Sequence, residues 1–284
     1  MIKAKALAKF NLNLHILPEK LPNGYSEIKA VNCRLSLADE LSFKKQKEVI
    51  ELIDNSGLQK EENTVYKAAY LLKKEAGSQE LGVRIKLKKN IPVKSGLGGG
   101  SADAAMTLLT LNRLWNLNFS LKKLSEIGGK LSSDIYYCLY KGIGEIGGYG
   151  EKVKIITAKM TEIWGVVVLA EETKPSTKWA YENLDRKKVG WHLYKLDKMI
   201  KAIRKKDKKE IIDNLFNDFE DSIIKPYPVI HRIKEDLKGT GALNSLLAGS
   251  GLAMVGFFEN KLLAEKAKKL LAGKYQQIYL VKTI

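Results

Sequence analysis

The chain has 284 residues and a mass of 31.8 kDa, and its 45% hydrophobic and 29% charged residues exclude a disordered or collagen-like protein. Lysine and arginine outnumber aspartate and glutamate by 49 to 32, and the resulting net charge of +17 indicates an anionic partner such as nucleic acid, a membrane surface or a phosphorylated small molecule. Cys33 and Cys138 are too few and too far apart for a disulfide scaffold, so we expect two buried free thiols. No apolar run reaches the roughly 20 residues that cross a bilayer. With no signal-peptide pattern at the N-terminus, the expected compartment is the cytoplasm.

The first half of the chain alternates strand and helix patterns. Residues 2–16 and 27–36 predict strands, separated by a turn at 22–24. Residues 63–73 have the apolar spacing of a helix, and residues 83–87 alternate like a half-exposed strand. A glycine-rich turn and two helices follow, which extend the pattern to Gly150.

The second half continues this alternation. Residues 163–170 predict a buried strand, and apolar positions on both sides of a lysine-rich run predict an amphipathic helix through 196–219 whose lysines are solvated. A glycine turn at 248–251 is followed by strand, helix and strand patterns up to residue 281. This alternation predicts an α+β or α/β chain, and we place a boundary near residue 160.

The most informative stretch is IPVKSGLGGGSADAAMTLLTLNRLW, residues 91–115. Its glycines lie between a predicted strand and a predicted helix that Ser95 or Ser101 could cap. Glycine lets backbone approach an anion closely, and a helix N-terminus offers unpaired N–H groups, so the stretch predicts a phosphate-binding loop or, alternatively, a purely structural turn. It lacks the Gly-Lys-Ser/Thr ending of a Walker A loop, and Ser101 occupies the last position of G-x-G-x-x-G, which excludes both loop types.

Residues 92–101 resemble the phosphate loop of the GHMP kinases, which phosphorylate small metabolites with ATP. Further stretches similar to this family occur in the same order along nearly the whole chain, and they are Ala8-Lys9-Phe10-Asn11-Leu12, Asn23-Gly24-Tyr25, Glu62-Asn63, Ser133-Asp134-Ile135, Gly148-Tyr149-Gly150-Glu151, Asn217-Asp218-Phe219-Glu220 and Ala248-Gly249-Ser250-Gly251. The resemblance implies an α+β, two-domain fold. Its N-terminal domain, 1–160, would be ribosomal-protein-S5-like and contain the phosphate loop, and its C-terminal domain, 161–284, would be ferredoxin-like.

The resemblance also implies a division of labour among the residues. Asp134 would accept the proton of the attacking hydroxyl, and Lys9 would keep Asp134 charged and orient that hydroxyl. The cofactors would be ATP and Mg²⁺, with Ser101 as a metal ligand. The ATP-binding residues would be Pro92, Gly96, Leu97, Gly98, Gly99, Gly100 and Ser101, with Asn63, Lys89 and Asp103 at the adenine end.

The resemblance is strongest to family members that phosphorylate the 2-hydroxyl of a cytidine-diphosphate-linked methylerythritol in the non-mevalonate isoprenoid pathway. The substrate residues would be Asn11, Tyr25, Ser26, Tyr181, Gly249, Ser250 and Gly251, with the two tyrosines stacking on cytosine. One departure is Ser26, since the family usually has a histidine that helps to recognise cytosine there.

This departure leaves open another GHMP kinase acting on a mevalonate- or phosphomevalonate-type substrate. The fold and the +17 charge leave a further alternative, a non-catalytic nucleotide- or RNA-binding protein. The expected partner is the small-molecule substrate, with neither nucleic acid nor membrane, and the expected state is a monomer or homodimer.

Overall fold

The computed structural model describes residues 1–172 and 176–284, which alternate strands and helices. The strands within these residues are β1 (Ile2–Lys20), β2 (Ser26–Lys47), β3 (Ile50–Asp54), β4 (Leu81–Lys88), β5 (Ile143–Gly147), β6 (Lys152–Ile156), β7 (Trp164–Leu169), β8 (Phe216–Asn217), β9 (Asn244–Leu247), β10 (Ala253–Phe258) and β11 (Ile278–Lys282). The helices are α1 (Thr64–Ala76), α2 (Gly99–Leu114), α3 (Leu121–Gly129), α4 (Asp134–Cys138), α5 (Thr177–Glu182), α6 (Tyr194–Lys205), α7 (Lys208–Asp213), α8 (Glu220–Ile224), α9 (Pro228–Gly239) and α10 (Lys261–Leu271).

The chain forms two compact units that are interleaved along the sequence, whereas the sequence analysis placed one boundary near residue 160. The interleaving arises because the long strands β1 and β2 each contribute residues to both units. Unit 1 consists of 1–9, 38–93 and 98–141, and unit 2 of 10–37, 94–97 and 142–284.

Unit 1 packs four helices with the strands of its sheet. The C-terminal part of β2 pairs antiparallel with β4, and β3 pairs parallel with β4 on the opposite edge. β4 alternates as predicted, with Val83, Ile85 and Leu87 buried between exposed cationic residues. Helix α1 is capped by Asn63, whose side chain accepts a hydrogen bond from Val65 N, and its buried face packs on α2.

Unit 2 contains an antiparallel sheet of order β11-β7-β10-β9, against which α9 and α10 pack. Every residue of β10 is buried, as expected for a central strand. The remaining part of β1 pairs in parallel with β8 at Asn13 and Leu14, and β5 pairs with both β2 and β6. These strands carry the residues that precede and follow the loops of the candidate site.

The predicted amphipathic helix through residues 196–219 is wrong in its continuity. α6 ends at Lys205 and is followed by Lys206, a non-glycine residue in the left-handed region with a φ of 58°. Asp207 then caps α7 by accepting a hydrogen bond from Glu210 N. The chain then becomes extended at β8. Two short helices therefore replace one long helix, although the apolar positions Leu196, Ile200 and Ile203 are buried as predicted.

Both cysteines are buried and neither forms a disulfide, which confirms the expectation from their spacing. Burial raises the pKa of the Cys33 thiol to about 12. Within 1–172 and 176–284, no helix is both long and apolar enough to cross a membrane.

His15 is a fully buried histidine in β1. Neither of its ring nitrogens has a hydrogen-bond partner within the described residues, and the ring stacks on Phe216 with centroids 4.9 Å apart. Burial, together with the nearby His192 and Lys195, lowers the pKa of His15 to about 4. The imidazole is therefore neutral in the folded protein at pH 7.

We expect His15 to make the folded protein acid-sensitive. Between pH 6.5 and about 4 the unfolded chain binds a proton at His15 that the folded chain does not. The free energy of unfolding therefore decreases as the pH is lowered through this range, by about 3 kcal/mol in total. In His15→Leu this part of the loss should vanish, whereas exposed His231→Leu should behave like the wild type. Urea unfolding at pH 7, 5.5 and 4 measures the difference. Equal pH dependence in His15→Leu and the wild type would refute the prediction.

Candidate functional site

Lys9 and Asp134 form an ion pair in unit 1, with Lys9 Nζ 3.3 Å from Asp134 Oδ2. The lysine side chain is buried, with 6% exposed, while the aspartate side chain is 38% exposed. The stem of Lys9 passes over Gly98, where a Cβ atom would lie 2.6 Å from Lys9 Cγ. Gly98 has a φ of 66°, so glycine is required there by both conformation and space.

The start of α2 is joined to Asp134 by two serines. Ser101 Oγ donates to Ser132 Oγ at 3.1 Å, and Ser132 Oγ also accepts a hydrogen bond from Asp134 N at 3.3 Å. The predicted capping of α2 by Ser95 or Ser101 is wrong, because the N-cap is Gly98 and no side chain of the described residues caps it. A helix start without a side-chain acceptor leaves backbone N–H groups that suit an anion, as a phosphate loop requires.

A buried cluster of charges lies behind the loop in unit 1. Lys89 Nζ contacts the carboxylates of Asp39 and Asp103, the latter at 2.7 Å, and all three side chains are 10% exposed or less. Asp39 Oδ1 also accepts from the backbone N–H groups of Asn90 and Ile91, immediately before the loop. Burial raises the pKa of Asp103 to about 7, opposed by Lys89 and reinforced by Asp39. The cluster therefore fixes both the entry to the loop and the second turn of α2.

Asn63 is likewise buried and already engaged as the cap of α1. Its side chain accepts from Val65 N and donates to Asp54 Oδ2, both at 2.9 Å. Its predicted contact with ATP, like those of Lys89 and Asp103, stays a prediction.

In unit 2 the loop that contains Gly249, Ser250 and Gly251 meets the backbone around Gly96. A Cβ at Gly96 would lie 1.8 Å from Ala248 O, and one at Gly251 would lie 2.1 Å from Ser95 O. No larger residue fits either position without moving the backbone. Ser250 Oγ donates to Thr177 Oγ1 at 3.3 Å, which links the loop to the first residue of α5.

The motif at residues 217–220 forms hydrogen bonds with the backbone at and next to this loop. Asn217 Nδ2 donates to Leu247 O at 2.9 Å and to Gly249 O at 2.7 Å, and Glu220 Oε2 accepts from Leu247 N. Asp218 Oδ2 accepts from Ile16 N at 2.7 Å. The polar residues of the motif therefore hold backbone segments in place.

The predicted substrate residues of unit 2 comprise aromatic and polar groups. Tyr25 is 62% exposed and lies against Tyr149, with ring centroids 5.2 Å apart. Tyr181 packs edge-on against Phe219. Asn11, in contrast, is buried and donates to Asn32 Oδ1 at 2.6 Å.

Ser26 has a partner that its local sequence does not reveal, since its hydroxyl accepts a hydrogen bond from Arg186 Nη2 at 2.8 Å.

No cluster of three or more His, Cys, Asp or Glu residues suited to a metal occurs in the described part of the chain.

Comparisons with known proteins show which family the chain belongs to. Family models match residues 63–142 (GHMP kinases N terminal domain) and 199–276 (GHMP kinases C terminal). A 4-diphosphocytidyl-2-C-methyl-D-erythritol kinase of Thermodesulfovibrio yellowstonii is 38% identical over 98% of this chain and 97% of its own length. One of Clostridium perfringens is 34% identical over 100% and 98%. The chain belongs to this family of GHMP kinases.

Solved structures place the fold of this GHMP kinase in the same family. A crystal structure of 4-(cytidine 5′-diphospho)-2C-methyl-D-erythritol kinase is 26% identical, covers 99% of both chains and has a TM-score of 0.84. The mevalonate kinase of Methanococcus jannaschii shares the fold, with a TM-score of 0.72 at 18% identity over 100% and 98% of the chains. The predicted α+β, two-domain GHMP fold is confirmed. The exact limits 1–160 and 161–284 stay a prediction.

Several residues that shape this GHMP kinase site were not assigned a role from the sequence. Ser132 and Asp39 in unit 1, and Asn217 and Arg186 in unit 2, all act through contacts with residues far away in the chain. The signal for Asn217 was present as a motif match, but the motif did not reveal the carbonyl groups that it binds. Nothing in the local sequence distinguishes Ser132 or Arg186 from ordinary surface residues.

We expect Gly98→Ala to disable the kinase by displacing Lys9. Gly77→Ala is the matched control, because Gly77 has nearly the same φ, 67° against 66°, and no atom within 4 Å of its Cβ position. Each substitution should destabilise by roughly 1–2 kcal/mol through the left-handed backbone. In Gly98→Ala alone kcat should fall by about 10–100-fold, since small displacements of reacting groups cost that much. Steady-state kinetics and thermal unfolding of both variants test this, and equal kcat values in the two would contradict it.

Proposed function

We propose that this chain transfers the γ-phosphoryl group of ATP to the 2-hydroxyl of 4-diphosphocytidyl-2-C-methyl-D-erythritol, a step of the non-mevalonate route to isoprenoid precursors. The observation that carries the proposal is the Lys9–Asp134 ion pair, tied through Ser132 and Ser101 to a glycine-started helix. The relatives at 38% and 34% identity over nearly the whole chain support the choice of substrate.

Phosphoryl transfer depends on positioning and on charge stabilisation more than on covalent chemistry by the protein. In our proposal the backbone N–H groups of Gly98 to Ser101 bind the phosphates of ATP, and Pro92, Gly96 and Leu97 complete the loop. Because no side chain of the described residues caps α2, the N–H groups of its first turn are available to phosphate oxygens in this proposal. The buried cluster of Lys89, Asp39 and Asp103 keeps the loop in this conformation.

An oxygen donor that suits Mg²⁺ lies at the start of α2. Ser101 contributes a side-chain oxygen at the first turn of α2, and Mg²⁺ commonly takes one or two protein ligands, with water and substrate phosphates completing its shell. Ser101 is therefore the residue that we propose as its ligand. When bound, the ion neutralises charge on the phosphates.

Asp134 is placed to act as the general base. Its carboxylate is the partly exposed member of the ion pair, so it can reach a substrate hydroxyl, accept its proton and leave the oxygen able to attack phosphorus. Lys9 holds Asp134 in position, and its positive charge stabilises the negative charge that develops during transfer. The buried stem of Lys9 limits the motion of its ammonium group.

The substrate is proposed to lie on residues of unit 2. Tyr25 offers an exposed ring on which cytosine can stack, and Tyr181 is the second aromatic residue. Asn11, Ser26, Gly249, Ser250 and Gly251 provide polar groups for further contacts with the substrate. We further propose a cytoplasmic enzyme that acts as a monomer or homodimer without nucleic acid or membrane, in agreement with its buried free thiols.

A substrate panel tests the proposal directly. With ATP and Mg²⁺ we expect turnover of 4-diphosphocytidyl-2-C-methyl-D-erythritol, and kcat/KM at least about 100-fold lower for mevalonate and phosphomevalonate, which lack the base and its stacking energy. Coupled measurement of ADP release gives the three values. Preference for a mevalonate-type substrate would establish the second GHMP activity instead. No phosphorylation of any alcohol would leave the non-catalytic alternative.

Substitutions of the ion pair test the chemistry. Asp134→Asn should lower kcat by about 10²–10⁴-fold, because it removes the proton acceptor while keeping the shape. Lys9→Ala should also lower kcat, and the double variant should lose less than the product of the two losses because the groups act together. Asp213→Asn, in the exposed ion pair with Lys209, is the control and should retain full activity. An Asp134→Asn enzyme within a few-fold of wild type would show that Asp134 is structural.

A further inference from the structure

Ser26 and Arg186 form a polar pair within unit 2, 160 residues apart in the sequence. Ser26 is the first residue of β2 and is 8% exposed, and its hydroxyl oxygen accepts a hydrogen bond from Arg186 Nη2 at 2.8 Å. Arg186 follows α5, the helix that contains Tyr181. The contact therefore joins the chain segments that carry both proposed stacking residues.

Arg186 has more donors than this contact uses. A guanidinium carries five N–H groups, and Nη1 of Arg186 is buried without a partner among the described residues. The carboxylate next to it, Asp185, lies instead 3.8 Å from Lys188 Nζ. Because a buried cationic donor without an acceptor is unfavourable, the site favours a ligand that brings acceptor atoms to it.

Ser26 adds a second donor beside the first. A serine hydroxyl can accept and donate at the same time, so the hydroxyl that accepts from Arg186 still has a proton to give. Both groups thus present donors. A ligand that matches them needs two acceptors side by side.

Tyr25 indicates what kind of ligand this is. Its ring is 62% exposed and directly precedes Ser26, in a turn where Tyr25 N donates to Asn23 Oδ1. One side of the ring lies against Tyr149, which leaves the rest of its surface for a planar group. Cytosine, the base of the proposed substrate, is a flat group with two adjacent acceptors, O2 and N3, on its edge.

We propose that Arg186, held by Ser26, recognises the cytosine of the substrate by donating to the acceptor edge formed by O2 and N3, with the Ser26 hydroxyl as the second donor. The inference rests on the proposed function, because it takes the cytidine-linked substrate as the ligand. Arg186 is then the specificity-determining residue for the base. Neighbouring Lys187 and Lys188 are exposed and have no such role.

This arrangement distinguishes cytosine from uracil. Cytosine presents two adjacent acceptors, O2 and N3, whereas N3 of uracil carries a proton and would face a donor. A mismatch that leaves buried donors unpaired discriminates strongly between ligands. The wild type should therefore bind CMP at least about tenfold more tightly than UMP.

The test is the affinity of the full-length protein for CMP, UMP, CDP and UDP, measured by calorimetry in wild type, Arg186→Met, Arg186→Lys, Ser26→Ala and Lys187→Met. Arg186→Met should weaken CMP binding at least about tenfold and bring the ratio of the UMP Kd to the CMP Kd close to one. Arg186→Lys keeps the positive charge but loses the paired N–H donors of the guanidinium, so it should retain only part of the preference for CMP over UMP. Ser26→Ala should also lower it, and the control Lys187→Met should not.

Two results would overturn the inference while leaving the proposed function intact. The first is that the wild type phosphorylates the cytidine-linked substrate and Arg186→Met still prefers CMP to UMP as strongly as the wild type does. The second is an equal loss of CDP and UDP affinity with CMP affinity unchanged, which would mean that Arg186 contacts the diphosphate. If Arg186→Met does not fold, an unchanged preference in both Arg186→Lys and Ser26→Ala overturns it. Failure of the wild type to turn over the cytidine-linked substrate refutes the proposed function itself.

Discussion

The space left by the missing side chain of Gly98 determines the arrangement of the chemical groups in unit 1. A lysine stem is long and flexible, and without confinement its ammonium group would sample many positions. Here the stem is buried in that space and ends 3.3 Å from the carboxylate of Asp134. The loss of side-chain entropy is borne during folding, so binding of substrate need not order the lysine again.

The same principle operates in unit 2 with backbone in place of a side chain. Gly96 and Gly251 allow two loops to approach so closely that carbonyl oxygens occupy the space of both absent Cβ atoms. Asn217 then fixes one of these loops through two carbonyl groups. In both units glycine therefore serves rigidity, because the conformation that it permits is held by groups that fill the space around it.

The sequence was sufficient for the features that are local or periodic. The strand–glycine–helix order around 91–115, the alternation of β4 and the helix that begins near residue 63 all follow from neighbouring residues. Local patterns did not reveal the break of the helix at Lys206, because lysine has no preference for the left-handed region that it adopts there.

Contacts between distant residues were equally hidden from the sequence. The bonds Ser101–Ser132 and Ser26–Arg186 depend on tertiary structure and leave no trace in local spacing. The resemblance to GHMP kinases identified the motifs, and the structure shows which groups the polar residues of the motif at 217–220 bind. The part that sequence could not provide is thus the set of partners, not the set of motifs.

The two cysteines have a consequence for how the opening of the molecule can be followed. Cys138 lies in unit 1 and Cys33 in unit 2, and both are buried in the folded protein. Alkylation of each thiol requires a transient opening of its own surroundings, as hydrogen exchange does for buried amides. Mass spectrometry of the two labelled peptides can therefore time the opening of each unit separately in the unmodified sequence, and addition of ATP or a cytidine nucleotide would show which unit each ligand protects.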